Sequence, residues 1–350
     1  MSKEGKMPKK WFRFKNGQLE EIDKVLRGES ELARKYGPLN YYLRIGGSRQ
    51  FLGTIGVTSI QKGSRQWFLE QCIDYAVDAS DAAFMVLGIS THEQLENAPH
   101  ELLKAEQWVR FEEVRGKLDL LEKNPVDGTL TLSDTKTMGS FGVAKFLGIE
   151  QHGLKPVFDE DGNQEYYLRD SKFGKKGDPK MKKAWRVNPA KADTNDVAHQ
   201  INSYRFMLEQ QEGPSPDYLR CFIVVRDGGL REAKSRGIED KTYYPYVPRI
   251  EDEVIQQWLK SRKDYRLSLM EDTQELRGMN LSGEDFIGEA IEWRVVPPMC
   301  NDAETWYGAK CRKGYCPIAK YCGFVGDNKW LNGQGSGTGN KSKDNELEDF

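Results

Sequence analysis

The residues best placed to do chemistry lie in 114–137, VRGKLDLLEKNPVDGTLTLSDTKT. Two apolar-alternating runs flank Asn124-Pro125 and Asp127-Gly128, residue types that turn a β-hairpin. In the second run Leu130, Leu132, Asp134 and Lys136 share one face, because strand side chains alternate with period two, while Thr129, Thr131, Ser133 and Thr135 take the other. An acid and a lysine therefore extend an apolar face. Asp119, between Leu118 and Leu120 in the first run, is positioned to meet Asp134 across the pair. Two carboxylates and a lysine at the end of a hairpin suit a divalent-metal site that activates water. Acid-x-Lys also occurs at Asp178-Pro179-Lys180 and Glu239-Asp240-Lys241, but only Asp134-Thr135-Lys136 completes an apolar strand whose partner carries an acid. Standing alone, that triplet reads equally as a strand end with an incidental ion pair.

The elements that must hold these residues follow from the periodicity around them. Residues 1–63 read as loops with one or two short strands. From about Ser64 to Ala105 apolar residues recur at three- and four-residue steps, which predicts helix, with Gly88 interrupting or joining two helices and His92 on one side with Leu95 and Glu96. Beyond the hairpin, 145–193 reads as an exposed insertion. Its PVFDEDGNQEYYL segment predicts a small hairpin turning at Asp161-Gly162, with a calcium site at Asp159, Asp161 and Asn163 as the sharper alternative. The rest of the insertion carries Lys172, Lys175, Lys176, Lys180, Lys182, Lys183 and Arg186 with Phe173 and Trp185 interleaved, a pattern that grips phosphates and stacks a base or forms a solvated loop. A helix is predicted over 194–211, capped by Thr194 or Asn195, with Val197, Ile201, Tyr204 and Leu208 as its buried stripe and Gly213 past its end. LRCFIVV (219–225) fits a buried strand with Cys221 in the core, a polar helix follows at about 251–276, and the Gly/Ser-rich 331–350 is expected to be disordered.

Four groups now stand in order: Gly88-x-x-x-His92, Gly116-x-x-Asp119, Asp134-x-Lys136 and Gln200-x-x-x-Tyr204. This ordered set, spanning about 88–225, resembles the RecB-like branch of the PD-(D/E)XK nucleases. The resemblance implies that Asp119 and Asp134 hold one or two Mg²⁺ or Mn²⁺ ions, joined by the Thr135 backbone carbonyl and by His92, whose nitrogen favours manganese. It implies that Lys136 positions and helps deprotonate the attacking water and stabilises charge in the transition state. Gln200 and Tyr204, at i and i+4 on one helical face, reach the DNA backbone or buttress the site. Glu93, Glu96 and Glu112 are further carboxylates near the motifs, available to the metal shell.

Of six cysteines, Cys72 and Cys221 stand alone, whereas Cys300, Cys311, Cys316 and Cys322 share a short C-terminal window. Clustered thiols in a reducing compartment bind metal more often than they form disulfides. The segment closing at Cys316 and Cys322 is similar to the end of the iron-sulfur RecB-like nucleases, including the CRISPR-associated and AddB-type members. Those use three C-terminal cysteines and one far upstream; here Cys311 and Cys316 are spaced more widely than the family's C-x-x-C and Cys300 is extra. We expect Cys300, Cys311, Cys316 and Cys322 to hold a [4Fe-4S] cluster, with Cys72 replacing Cys300 as the alternative ligand and Zn²⁺ as the alternative metal.

Composition sets limits on these readings. With 52 basic and 54 acidic residues among 350, net charge is -2, so any nucleic-acid contact rests on a local basic patch. No apolar run is long enough to span a bilayer, and the basic N-terminus lacks the apolar stretch of a secretory signal, so a cytoplasmic protein with no membrane partner is expected. The expected fold is α/β, a restriction-endonuclease-like core with a central mixed sheet flanked by helices, plus a cysteine-rich C-terminal clasp. Its expected division is an irregular 1–63, a core over 64–276, a metal or cluster segment over 277–325 and a disordered 326–350. The expected activity is metal-dependent hydrolysis of DNA, exonucleolytic on single strands or ends, in phage or bacterial recombination and repair, with a recombination protein or helicase as a possible partner. A CRISPR-adaptation nuclease is the alternative within the class, and a non-catalytic nucleic-acid-binding protein with a zinc site the alternative outside it.

Overall fold

A computed structural model describes residues 53–73, 75–76, 82–97, 103–279, 281, 283–297, 300, 316 and 318, with short pieces at 11–13, 19–21 and 45–46. Contacts divide the chain into two units, Leu87–Leu259 and the pair of segments Met1–Val86 and Lys260–Phe350.

The unit Leu87–Leu259 is built on a mixed sheet. Its elements are helix α1 (Ala82–Glu96), which ends here, strands β1 (Leu103–Phe111), β2 (Val114–Lys123) and β3 (Leu130–Met138), helix α2 (Ser140–Leu147), strands β4 (Ile149–Pro156) and β5 (Met181–Val187), helix α3 (Asn195–Gln210), strands β6 (Tyr218–Val225) and β7 (Thr242–Tyr243), and helix α4 (Asp252–Asp272), which begins here. Within the sheet the strands of this unit run β7-β6-β3-β2-β1. Only β3 and β6 are parallel, from Tyr218 opposite Thr131 to Val225 opposite Met138. The crossover between them carries α2, the β4–β5 ribbon and α3, as a parallel connection requires.

The hairpin turn falls where Asn, Pro, Asp and Gly predict it. Asn124 and Thr129 close it through an N–H to carbonyl bond of 2.8 Å, and Gly128 supplies a φ of 76° that costs glycine little. Pairing of β2 with β3 covers only Leu120–Lys123 against Leu130–Ser133. Beyond Ser133 the strands fork, and β3 continues alongside β6 alone. Because β3 is central, both of its faces are covered: Ser133 and Thr135, expected on the outer face, are as buried as Asp134.

Helix α3 is the organising helix. Residues Ala198, Gln200, Asn202, Ser203 and Arg205 are buried along with the predicted apolar stripe, so the helix lies within the unit rather than on its surface. Arg205, with no exposed area, donates to Glu209, Asp252 and the Ile250 carbonyl, fixing α3 to the start of α4. Helix α2 ends at Gly148, whose φ of 67° turns the chain so tightly that a Cβ there would lie 2.2 Å from the Asn188 carbonyl.

Two elements differ from the sequence reading. Helix α1 runs through Gly88 without interruption; a Cβ at Gly88 would make an ordinary contact with Thr137 Oγ1 of β3, at 3.6 Å, so the glycine neither breaks the helix nor is demanded by its neighbour. The helix expected to reach Ala105 instead gives way to β1, since tertiary pairing with β2 overrides the local pattern of LKAEQWVRF. The hairpin around Gly162 forms as predicted, with Asp159 Oδ1 accepting from the backbone of Asp161 and Asn163. Those Asx-turn bonds account for Asp159 without a cation.

In the other unit, the helix Ser64–Cys72 buries Trp67, Phe68 and Leu69, and Phe68 packs against Phe286 at 6.1 Å between ring centroids. Arg266, fully buried, donates to the carbonyls of Ile60 and Lys62 and lies 5.4 Å from the Trp67 ring centroid. No helix among the described residues is long and apolar enough to cross a membrane.

Candidate metal centre

The fork between β2 and β3 is where the polar residues converge. At its mouth the Asp119 carboxylate takes the place of a strand partner, accepting from the Thr135 backbone N–H at 2.6 Å. Asp119 and Asp134 are the first residues past the last hairpin pair, Leu120 with Ser133, and their carboxylates are close enough to interact. Spacing of four residues puts His92 one helical turn beyond Gly88, which neighbours Thr137 of β3. Its Nδ1 lies 3.7 Å from Asp119 Oδ2 and 3.4 Å from Glu106 Oε1.

His92, Glu106 and Asp119 each offer a donor atom within 4.8 Å of the others. Glu106 is the functional candidate that the sequence reading missed. It lies on β1 opposite Asp119, because Ala105 pairs with Leu120 and Gln107 with Leu118. Its φ of 57° is in the left-handed region, unusual for a non-glycine residue and costing on the order of 1–3 kcal/mol, and such strain concentrates at functional sites. Recognising β1 as a third strand would have exposed it, since its register partner is Asp119. Of the other carboxylates considered, Glu93 is exposed, Glu112 sits in the β1–β2 turn, and the Glu96 side chain lies outside the described residues.

Behind the carboxylates stands a network from α3. Gln200 uses its whole amide: Nε2 donates to Asp134 Oδ1 and to the Tyr204 hydroxyl, each at 2.9 Å, and Oε1 accepts from Lys136 Nζ at 3.0 Å. Lys136 Nζ also lies 2.6 Å from Asp134 Oδ2, an ion pair without the angles of a hydrogen bond, so Oδ2 has charge beside it but no donor aimed at it. The i, i+4 spacing of Gln200 and Tyr204 thus serves to buttress the centre; both are buried, and neither is exposed to a DNA backbone. Gly116, in the strand below, leaves the room that Tyr204 occupies, for a Cβ there would lie 2.5 Å from the tyrosine ring. That contact ties the second and fourth sequence groups together in space.

Electrostatics follow from this burial. Desolvation, then the Asp134 carboxylate, pushes Asp119 up to about 7, against the opposing pull of His92, the Thr135 N–H and Lys136. Burial alone would lower Lys136, but the Asp134 and Asp119 carboxylates outweigh it and raise the lysine above its ordinary value. Lys136 is therefore a cation at neutral pH, suited to stabilising negative charge more than to removing a proton. Burial and Asp134 also raise the Tyr204 hydroxyl. Burial, then Asp134, pushes the Cys221 thiol up to about 12, consistent with its core position.

Among the sequence-predicted metal ligands, His92 and Asp119 lie together, Asp134 is close enough to interact with Asp119, and Thr135 contributes its N–H to Asp119. The donor set of His92, Glu106 and Asp119, carboxylate oxygens with one imidazole, fits a hard divalent cation. The cysteine set is divided. Cys316 is buried and Cys300 half-buried, while Cys311 and Cys322 lie outside the described residues. Cys72, the alternative ligand, is half-buried at the end of its helix, and burial pushes its thiol up to about 12 against a nearby Arg277.

The basic insertion is partly neutralised within itself. Lys180 pairs with Glu165 and Arg186 with Glu150, and Trp185 packs where a Cβ on Gly237 would otherwise sit. Phe173 stays exposed, with Lys172 Nζ 4.9 Å from its ring centroid. No protein-family model matches this chain, and no curated protein matches it.

Proposed function

We propose that this chain is a Mg²⁺- or Mn²⁺-dependent deoxyribonuclease with a restriction-endonuclease-like core, hydrolysing phosphodiesters of single-stranded DNA or DNA ends. The observation that carries the reading is the convergence of His92, Glu106 and Asp119 at the fork, with Asp134 close enough to interact with Asp119 and Lys136 held on Asp134 by Gln200. His92, Glu106, Asp119 and Asp134 would hold the cation. A divalent ion held by such a set supplies Lewis acidity to a phosphate oxygen and generates hydroxide from bound water at neutral pH.

The protein's own groups account for the rest. Lys136, kept protonated and fixed by Gln200 Oε1 and Asp134, offers its positive charge to the phosphorane-like transition state. Gln200, locked by three hydrogen-bond partners, bridges Asp134 and Lys136 and fixes the orientation of both. Tyr204, lodged over Gly116, fixes Gln200 in turn. Asp119 Oδ2 accepts from the Thr135 amide, which anchors the carboxylate beside His92.

The test is degradation of end-labelled single-stranded DNA with Mn²⁺ by wild type, Asp134→Asn and Lys136→Ala. Both variants are expected to lose the activity, and wild-type rates in either would show the assignment to be wrong. The [4Fe-4S] clasp of Cys300, Cys311, Cys316 and Cys322 is proposed alongside. Anaerobically purified protein should be brown with absorbance near the thiolate-to-iron region, and colourless protein containing zinc would replace the cluster with a zinc site.

A further inference from the structure

The face of the β1–β2 hairpin that carries Asp119 does not end at the metal centre. Register pairs Trp108 with Lys117 and Arg110 with Arg115, so alternation places Trp108, Arg110, Arg115, Lys117 and Asp119 on one face. The opposite face, with Val109, Val114, Gly116 and Leu118, is buried, and its Gly116 lies beneath Tyr204 of α3. Lys117 Nζ contacts Glu106, joining the outer residues to the centre.

Three features of this outer stretch are unexplained by folding. Trp108 is 61% exposed, a large apolar area to leave in water. Arg110 and Arg115 stand directly opposite each other, and like charges so paired destabilise a sheet. Neither guanidinium makes an ion pair among the described residues; Arg115 instead lies 5.8 Å from the Trp108 ring centroid. Together with Val109 and Gln211 these residues line a groove of about 430 Å³. Gln211 accepts from the Arg110 backbone N–H, holding the edge strand in place beside it.

We propose that this groove is a single-stranded DNA subsite, in which Trp108 stacks a base and Arg110 with Arg115 grip a backbone phosphate, leading the strand to the centre at Asp119. The inference rests on the nuclease reading. An anion between the two guanidiniums removes their repulsion, and an exposed indole is a platform that tolerates any base. Steps of about 6.8 Å between same-face residues carry the track from Arg110 past Trp108 to Glu106. A chain of phosphates and bases fits such an alternation of charge and ring; a lone phosphate would leave Trp108 without a role.

Binding in EDTA separates this proposal from catalysis. Fluorescence anisotropy of a labelled oligothymidylate is measured with wild type, Trp108→Ala, Trp108→Phe and the double variant Arg110→Gln/Arg115→Gln across a salt series. Trp108→Ala should weaken binding about 5- to 150-fold, and Trp108→Phe should restore most of it. The double variant should flatten the slope of log affinity against log salt by about 0.7, one phosphate contact on a single strand. Wild-type binding by all three variants overturns the proposal. So does a loss confined to the double variant with polyphosphate competing as well as oligothymidylate, which would make the patch a polyanion contact without base stacking. If wild type binds as expected but degrades no DNA with Mn²⁺, the nuclease reading fails while the subsite stands.

Discussion

Asp119→Asn in metal-free protein offers a sharp test of how the centre is held together. The Asp119 carboxyl is raised from 3.8 to about 7, first by burial and then by Asp134, so the folded chain favours its neutral form. A carboxyl shifted this way contributes stability that is fully present below its unfolded value and is lost as pH rises through its folded value. The loss therefore runs between about pH 4 and pH 7. At about 1.4 kcal/mol per tenfold change in proton affinity the displacement corresponds to about 4 kcal/mol, an upper bound because the site relaxes and Asp134 shares the repulsion. Asparagine keeps the shape and can still accept from the Thr135 N–H, but it carries no charge. In EDTA the variant should match wild type near pH 4 and exceed it at pH 8 by roughly 2–4 kcal/mol, read as several degrees in thermal melting. Mn²⁺ should raise the melting temperature of wild type and leave the variant unmoved. A variant less stable than wild type at pH 8, or a gap that does not change with pH, would refute the picture of two carboxylates confined together.

Other consequences can be checked separately. Gln200→Ala strips Lys136 and Asp134 of their shared partner and should cut Mn²⁺-dependent DNA degradation about 10- to 100-fold, while oligonucleotide binding in EDTA is retained. Gly116→Ala drives a methyl into the Tyr204 ring and should destabilise the protein by about 1–3 kcal/mol, measured by urea denaturation. Arg205→Ala should cost about 3 kcal/mol, the low end for breaking a buried ion pair, because Glu209 keeps Arg249 as a partner; circular dichroism melting reports it. Native protein should resist alkylation of Cys221 at pH 8, with labelling appearing only on unfolding, as mass spectrometry would show.

Much of the centre was legible because its residues obey short local rules. The Asn124–Gly128 turn types fixed where β2 ends and β3 begins, and period-two alternation then set Asp119 against Asp134. Helical spacing alone was enough to bring Gln200 within reach of Tyr204. What stayed hidden depends on long-range pairing. In LKAEQWVRF polar residues outnumber a clean alternation, so β1 is visible only once β2 is beside it, and with β1 went Glu106 and the Trp108 groove. Gly88 looked like a breaker because glycine disfavours helices, but the helix absorbs that cost and continues through it. The doubly buried faces of β3 likewise arise from its neighbour β6, some 80 residues later, which no local pattern reveals.

The register of β3 is set twice over. The turn fixes it from one end, and β6 fixes it independently through eight parallel pairs and through Asp217, whose carboxylate accepts from the Leu130 N–H. The turn is therefore redundant for placing Asp134. Val126 at its tip is 92% exposed, and extra residues inserted beside it would loop into solvent without sliding the strand. That makes the tip a practical handle: a peptide tag or dye-bearing cysteine placed there should leave the distant carboxylates undisturbed, giving an attachment point for surface immobilisation or single-molecule observation.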